Sequence, residues 1–347
     1  DLILASLKYW TETMGIDGFR FSSGAALGRT GDNWDFSKDA PLLSKIKDYL
    51  HSKSRKCIIE TLDKNSTGNE VFNDGWIAWN NTFRDSVRKT VNWIQTPNES
   101  KINELIGKAG TLNFAASHDS YRLADILDAN DIKIGEKPEY SANFNPIDTR
   151  RERYRNLLIL TILSKGTPML TYGDEFGRAQ GKTHGVYSGI TNTVQMNDYS
   201  HYLTHKYGCN ELGGDDNGTN LLYEFTKKLL KLRNDNAAFF KYATYTFKKF
   251  DNSDGAEHEK AFCILISNAD QSVQYAVCVN NTDGKPEALV KEMGGGTALW
   301  KPLIDTGSWA ELKKDDAKME GNFYAENKEA LDKYGVEANR IVVLKKQ

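Results

Sequence analysis

Two carboxylates, Glu60 and Asp119, each stand just after a predicted β-strand, and Ser22 stands after a third. Lys56-Cys57-Ile58-Ile59 leads into Glu60, Leu112-Asn113-Phe114-Ala115-Ala116-Ser117 leads into His118-Asp119, and Asp17-Gly18-Phe19-Arg20-Phe21 leads into Ser22. In a (β/α)8 barrel the strand C-termini converge on one face, so residues 38 and 59 apart in sequence can meet in one cleft. Two carboxyl groups held about 5–5.5 Å apart can act on an acetal carbon, one attacking while a protonated partner donates to the leaving oxygen. The apolar strand before Glu60 suits a carboxyl that must hold its proton. The serine is less suited, because a hydroxyl with no adjacent base is a poor nucleophile toward such a carbon.

The elements that must position these residues follow from periodicity. Ile3, Leu7, Trp10 and Met14 recur at helical spacing behind Asp1, and Gly15 ends that helix. Leu42, Ile46, Tyr49 and Leu50 mark the next helix, with Pro41 in its first turn. Trp76, Trp79, Phe83, Val87 and Val91 place another helix or helix entry, a helix is expected from about Arg150 to Ser164, and Gly166 to Leu170 is expected as a strand. A last helix carries Leu222, Phe225, Leu229 and Leu232. Alternation of strand and helix predicts a parallel α/β arrangement over residues 1–241. From 242 to 347, short apolar runs such as Ala261–Ile266, Tyr275–Val279 and Ile341–Leu344 are separated by Gly, Asn and Asp turns, which predicts a small antiparallel β-sandwich.

A chain of 347 residues is long enough for two domains. Lys plus Arg (45) nearly balances Asp plus Glu (47), so no basic field exists to attract nucleic acid or anionic lipid, and an uncharged partner is the easier reading. No apolar run approaches the roughly 18 residues of a membrane span, and no signal-peptide pattern opens the chain. A cytoplasmic location is the default expectation. The chain opens on Asp1 inside a helical pattern, so an upstream segment is expected. Cys57, Cys209, Cys263 and Cys278 lack metal-ligand spacing and are read as buried free thiols. His184, His201 and His205 lie in a polar loop, and Asp174-Glu175 is read as loop scaffolding rather than a metal site. This reading calls for no cofactor and no metal.

Several ordered blocks resemble the α-amylase superfamily, glycoside hydrolase family 13, and most closely its isoamylase and glycogen-debranching branch. They are Asp17–Phe21 with Ala26–Arg29, then Ile59–Asp63, Gly75–Asp85, Ser117–Asp119, and Gly166–Leu170 with Gly173–Arg178. The resemblance implies a partial (β/α)8 TIM barrel, strands 4–8, followed by an all-β C-terminal sandwich. It implies ancestral hydrolysis of α-1,6 branch points in α-glucans of the glycogen or starch type. Carried over by position, Glu60 matches the general acid/base, Asp119 the carboxylate that stabilises the transition state, His118 its hydroxyl-binding neighbour, and Arg20 the arginine that orients the nucleophile.

The departures bear on activity. Ser22 stands where the superfamily has its nucleophilic Asp, and loss of such a group costs on the order of 10⁴–10⁶ in kcat in well-studied hydrolases. Thr61-Leu62-Asp63 stands where debranching enzymes usually have Pro-Trp-Asp, and Ser120-Tyr121-Arg122 where they usually have Gly-Phe-Thr. The barrel's first three strands are absent from the chain, so either a longer protein or a second chain is expected to supply the N-terminal half. Three readings stand at this point. One is a catalytically impaired homologue that keeps a glucan-shaped cleft. Another is an active hydrolase with a displaced carboxylate such as Asp17 or Asp32. The third is a structural or interaction module without sugar binding. Trp34, Trp76 and Trp79 are expected either to pack or to stack on glucose rings.

Overall fold

The computed structural model describes residues 2–61, 75–95, 101–134, 136–145, 147–179, 221–249, 261–281, 287–288, 299–307, 319–320, 323–324, 334–335 and 339–347. Leu62, Asp63, His184, His201, His205 and Cys209 lie outside these residues, and with them the expectations attached to them. The chain divides into two compact units: residues 1–81 with 107–113, and residues 82–106 with 114–347. The strand-rich region after 242 therefore clusters with the helices that precede it.

The first unit holds a parallel sheet in the order β1 (Gly18–Phe21), β2 (Lys56–Ile59), β3 (Ile77–Asn80), β4 (Gly107–Asn113). Helix α2 (Pro41–Ser52) crosses from β1 to β2, with Pro41 at its first position, where a missing N–H costs nothing. Its Leu43, Ile46 and Leu50 are buried with Cys57 and Ile59 of β2 in one apolar cluster. Gly18 is required by packing. A Cβ there would sit 2.7 Å from the Lys56 Cβ and 2.8 Å from its carbonyl oxygen on the paired strand.

The opening helix departs from the expected stripe. α1 (Leu2–Lys8) continues as a π-helical segment over Tyr9–Thr13, and Gly15 then takes a φ of 73°. Of the four apolar residues only Leu7 is buried, while Ile3, Trp10 and Met14 are exposed. The wider π winding shifts the phase of every residue after Lys8, so a 3.6-residue pattern no longer describes one face.

A second correction concerns Trp76 and Trp79. Helical spacing places them with Phe83, yet Ile77–Asn80 is strand β3 and the helix α3 (Asn81–Val91) begins only afterwards. Phe83, Val87 and Val91 line its buried side. The strand expected over Leu112–Ser117 runs instead over Gly107–Asn113.

The second unit contains α3, α4 (Ile102–Ile106), α5 (Leu123–Ile126), α6 (Ile147–Ile162), the strand β5 (Lys165–Pro168), α7 (Leu221–Asp235) and α8 (Ala237–Tyr242). Its later strands are β6 (Thr244–Lys249), β7 (Ala261–Ser267), β8 (Gln274–Asn280), β9 (Trp300–Asp305), β10 (Met319–Glu320), β11 (Phe323–Tyr324) and β12 (Ile341–Lys346). They form one antiparallel sheet in the order β6-β7-β8-β12-β9-β11-β10. A two-stranded ribbon pairs Glu287–Ala288 with Tyr334–Gly335.

Phe262, Ile264, Ile266, Val277, Val279 and Val343 share one cluster with α3, α6 and α7. The alternate residues Cys263, Leu265, Cys278, Trp300 and Val342 form another. Both faces of the central strands are buried, which is why these runs are continuously apolar instead of alternating.

α6 is buried nearly all round, polar residues included. Arg153 is fully buried over the Trp93 ring at 4.1 Å and donates to the Val91 carbonyl and to the side-chain oxygens of Asn281 and Asn339. These bonds satisfy a charge that would otherwise be prohibitive to bury. Among the described residues no helix is long and apolar enough to cross a membrane.

Candidate functional site

The parallel register sets the first group. Gly18 pairs with Lys56 and Phe21 with Ile59, and the Glu60 amide then donates to the Phe21 carbonyl at 3.0 Å. The next residue on each chain is Ser22 and Glu60, which therefore stand side by side past the strand ends. Three donors converge on a single oxygen, Glu60 Oε2: Arg20 Nη2 at 3.0 Å, Ser22 Oγ at 3.2 Å and the Ser23 amide at 2.8 Å. Ser23 reaches this position with a left-handed φ of 46°. The Arg20 guanidinium also lies 4.6 Å from the centre of the Trp79 ring, so it is held between an aromatic face and a carboxylate. Its Nε is buried without a hydrogen-bond partner.

Chemically, Oε2 is an acceptor three times over. A proton offered to a leaving group would have to ride on Oε1. Both members of the Arg20–Glu60 pair remain partly accessible, at 26% and 16% of their side-chain surface, so the group faces a solvent-reachable space. Beside it in the same unit, Asn80 at the end of β3 donates to Asn113 Oδ1 at 2.8 Å, and Thr111 Oγ1 donates to the same oxygen at 2.9 Å. The sequence reading missed Trp79 as the partner of Arg20 and missed this buried polar set. Polar residues closing apolar strands were the available signal.

His118 and Asp119 form a second group, on the other unit. The Ser120 amide donates to the Ser117 carbonyl at 3.2 Å, closing a turn with His118 and Asp119 at its two central positions. Their side chains pair at 3.1 Å and stay 34% and 44% exposed, whereas Ser117 and Ser120 are buried.

Asp17 lies at the opposite end of β1 from Ser22, 90% exposed and ion-paired with Arg55 at 3.3 Å, and Asp32 is exposed in the loop between Thr30 and Asp35. The β1 register therefore separates Asp17 from Glu60 by the length of the strand. Trp76 and Trp79 are buried, while Trp34 is 62% exposed.

Asp174 and Glu175 serve their own turn. Asp174 Oδ2 accepts the Thr171 amide at 2.9 Å and Glu175 Oε2 accepts the Gly173 amide at 2.8 Å. Asp174 is fully buried, and burial pushes its carboxyl up to about 7 against the opposing pull of the Thr171 amide and Arg122. Cys57, Cys263 and Cys278 are free and buried. Among the described residues no three His, Cys, Asp or Glu side chains are grouped to hold a metal ion.

No protein-family profile matches the chain. The glycogen debranching enzyme of Enterobacter sp. (strain 638) is 31% identical over 218 residues, covering 53% of this chain and 32% of that enzyme. The pullulanase of Anoxybacillus sp. LM18-11, solved with maltotetraose, superposes with a TM-score of 0.59 at 16% identity, covering 99% of this chain and 46% of that one. Pullulanase type I from Bacillus subtilis str. 168, solved with maltose, gives a TM-score of 0.64 at 14% identity, again covering 99% and 46%. The catalytic module of the glycogen-degrading pneumococcal virulence factor SpuA gives 0.59 at 15% identity, covering 99% and 54%. The chain thus spans about a third of the debranching enzyme and about half of the solved chains. By sequence this chain is a homologue of glycogen debranching enzyme over 218 residues, in keeping with the resemblance carried by its motifs, and its fold is similar to that of the solved pullulanases.

Proposed function

We propose that this chain is the C-terminal portion of a debranching-type α-glucan hydrolase homologue that binds α-glucan and is catalytically impaired. In this reading residues 1–241 descend from strands 4–8 of a (β/α)8 barrel and residues 242–347 from its C-terminal β-domain. A longer protein or a second chain supplies the N-terminal half. Glu60 is the retained acid/base position, His118 and Asp119 are sugar-binding groups, and Ser22 is a degenerate nucleophile position.

One observation carries the impairment. Ser22 stands in register beside Glu60, and its hydroxyl donates to that carboxylate. The carboxylate that accepts from this hydroxyl is the group assigned to protonate the leaving oxygen, and one carboxyl cannot hold a proton for that step while also taking the Ser22 proton for attack on an anomeric carbon. Asp17, one of the two carboxylates considered as substitutes, lies at the far end of β1 and pairs with Arg55, which disfavours an active hydrolase by that route. The solved pullulanases carry maltose or maltotetraose, and this supports an α-glucan as the ligand class.

The test is release of reducing ends from amylopectin by the complete protein, with Glu60→Gln as the control, beside affinity electrophoresis in glycogen. Retarded migration with no turnover above the control is the expected result. Turnover that disappears in Glu60→Gln would overturn the impairment. Migration unaffected by glycogen would overturn glucan binding and leave a structural module.

A further inference from the structure

The His118–Asp119 turn is held from beneath by one buried arginine that no motif singled out. Arg88 lies on α3, fully buried, on the helix side fixed by Phe83, Val87 and Val91. Its Nε donates to the Ala115 carbonyl at 2.6 Å, three residues before His118. Its Nη2 donates to Ser120 Oγ at 3.1 Å, one residue after Asp119. Nη1 donates to Glu139 at 2.5 Å and to the Glu139 carbonyl at 3.2 Å. The guanidinium therefore grips both ends of the turn and is itself locked by a carboxylate. The planar fork of arginine allows this, and a lysine ammonium could not serve three fixed directions at once.

Ser120 completes the clamp. Besides accepting from Arg88, its hydroxyl accepts the Ser117 amide at 3.2 Å, and Thr171 Oγ1 donates to the Ala116 carbonyl at 2.9 Å. The base of the turn is buried and fully bonded while His118 and Asp119 project from it.

We propose that Arg88 is a positioning residue for His118 and Asp119, acting through the Ser120 hydroxyl, so that Ser120 sets how firmly the turn presents its pair to a glucan. The inference rests on reading His118 and Asp119 as glucan-binding groups. Arg88 touches no ligand position itself; the turn transmits its effect.

The experiment is titration calorimetry of maltotetraose with the complete protein, comparing Ser120→Ala, Arg88→Lys, Asp119→Asn and the double variant Ser120→Ala/Asp119→Asn. Asp119→Asn tests the glucan reading. Ser120→Ala is expected to weaken binding about tenfold. The double variant is expected to bind no worse than Asp119→Asn alone, the non-additivity of residues that act through one another. Arg88→Lys is expected to follow Ser120→Ala in affinity, and Ser120→Ala covers the case in which Arg88→Lys fails to fold. Affinity unchanged in Ser120→Ala, or effects that multiply in the double variant, would overturn the proposal.

Should maltotetraose fail to bind, or Asp119→Asn leave binding intact, the glucan reading fails, and amide hydrogen exchange across residues 117–120 then decides the clamp alone. Exchange about tenfold faster in Ser120→Ala, at unchanged global stability, upholds it. Unchanged exchange overturns it.

Discussion

Glu60 gathers three donors on one of its oxygens. With a hydroxyl at position 22, Arg20, Ser22 and the Ser23 amide all donate to Glu60 Oε2. A carboxylate at position 22 would give Arg20 a second acceptor and place two acids side by side. One of two neighbouring acids is pushed to keep its proton, which is the condition a general acid needs. Ser22→Asp is therefore expected to raise reducing-end release from amylopectin by about 10⁴-fold or more in the complete protein, and Glu60→Gln added to it should abolish the gain. A Ser22→Asp variant that binds glycogen with turnover unchanged would show that position 22 does not limit activity.

Asp174 makes a separate prediction at the same scale. Burial raises its carboxyl from an ordinary 3.8 to about 7, so the folded chain holds a proton that the unfolded chain has released between those values. Stability from this group is fully present below about pH 4 and is lost as pH rises through about 7. The gap corresponds to about 4 kcal/mol at most. Glu152, raised to about 7 by burial, acts in the same sense. Urea unfolding of Asp174→Asn between pH 4 and pH 8 should show a flatter loss of stability than the native chain, and an unchanged slope would assign the pH dependence elsewhere.

At the scale of elements, the pairing of β1 with β2 decides whether the first group exists. The constant offset of 38 residues in that register carries Ser22 to Glu60, and Gly18 lets the strands approach. Gly18→Ala is expected to cost about 1–3 kcal/mol in urea unfolding, as overpacking does. It should also weaken glycogen retardation through displacement of Arg20, whereas an unaffected midpoint would show that the strands part without cost. The same scale explains where periodicity misled. Trp79 sits on a strand next to a helix, so three aromatics at helical spacing cross an element boundary. In α1 a π-helical segment shifts the phase after Lys8 and leaves Trp10 and Met14 exposed. Helices α2 and α7 were legible because burial on a fixed period leaves its mark in the sequence, and strands β7, β8 and β12 because burial on both faces leaves an unbroken apolar run.

Over the whole molecule, the two compact units carry separate buried thiols. Cys57 lies in the apolar cluster of the first, and Cys263 and Cys278 lie 3.7 Å apart in the sheet of the second. Burial raises the Cys57 thiol to about 11 and that of Cys263 well above its ordinary range, so neither is a nucleophile in the folded chain. Alkylation in rising urea should therefore report each unit's opening separately, read by mass spectrometry of the Cys57 and Cys263/Cys278 peptides. Rapid labelling of either set without urea would show that its core is open. The sequence by itself determined the long helices and the apolar strands, though not strand β3, along with the parallel-then-antiparallel character, the lack of a basic field and the identities at positions 22, 60, 118 and 119. These are properties of composition, period and motif, and they are local. Only the tertiary structure decided that Glu60 is bound by Arg20, Ser22 and the Ser23 amide, that Trp79 backs Arg20, and that Arg88 anchors the turn bearing His118 and Asp119. Each of those contacts joins residues distant in sequence through strand register or buried hydrogen bonds, and neither leaves a periodic signal in the chain.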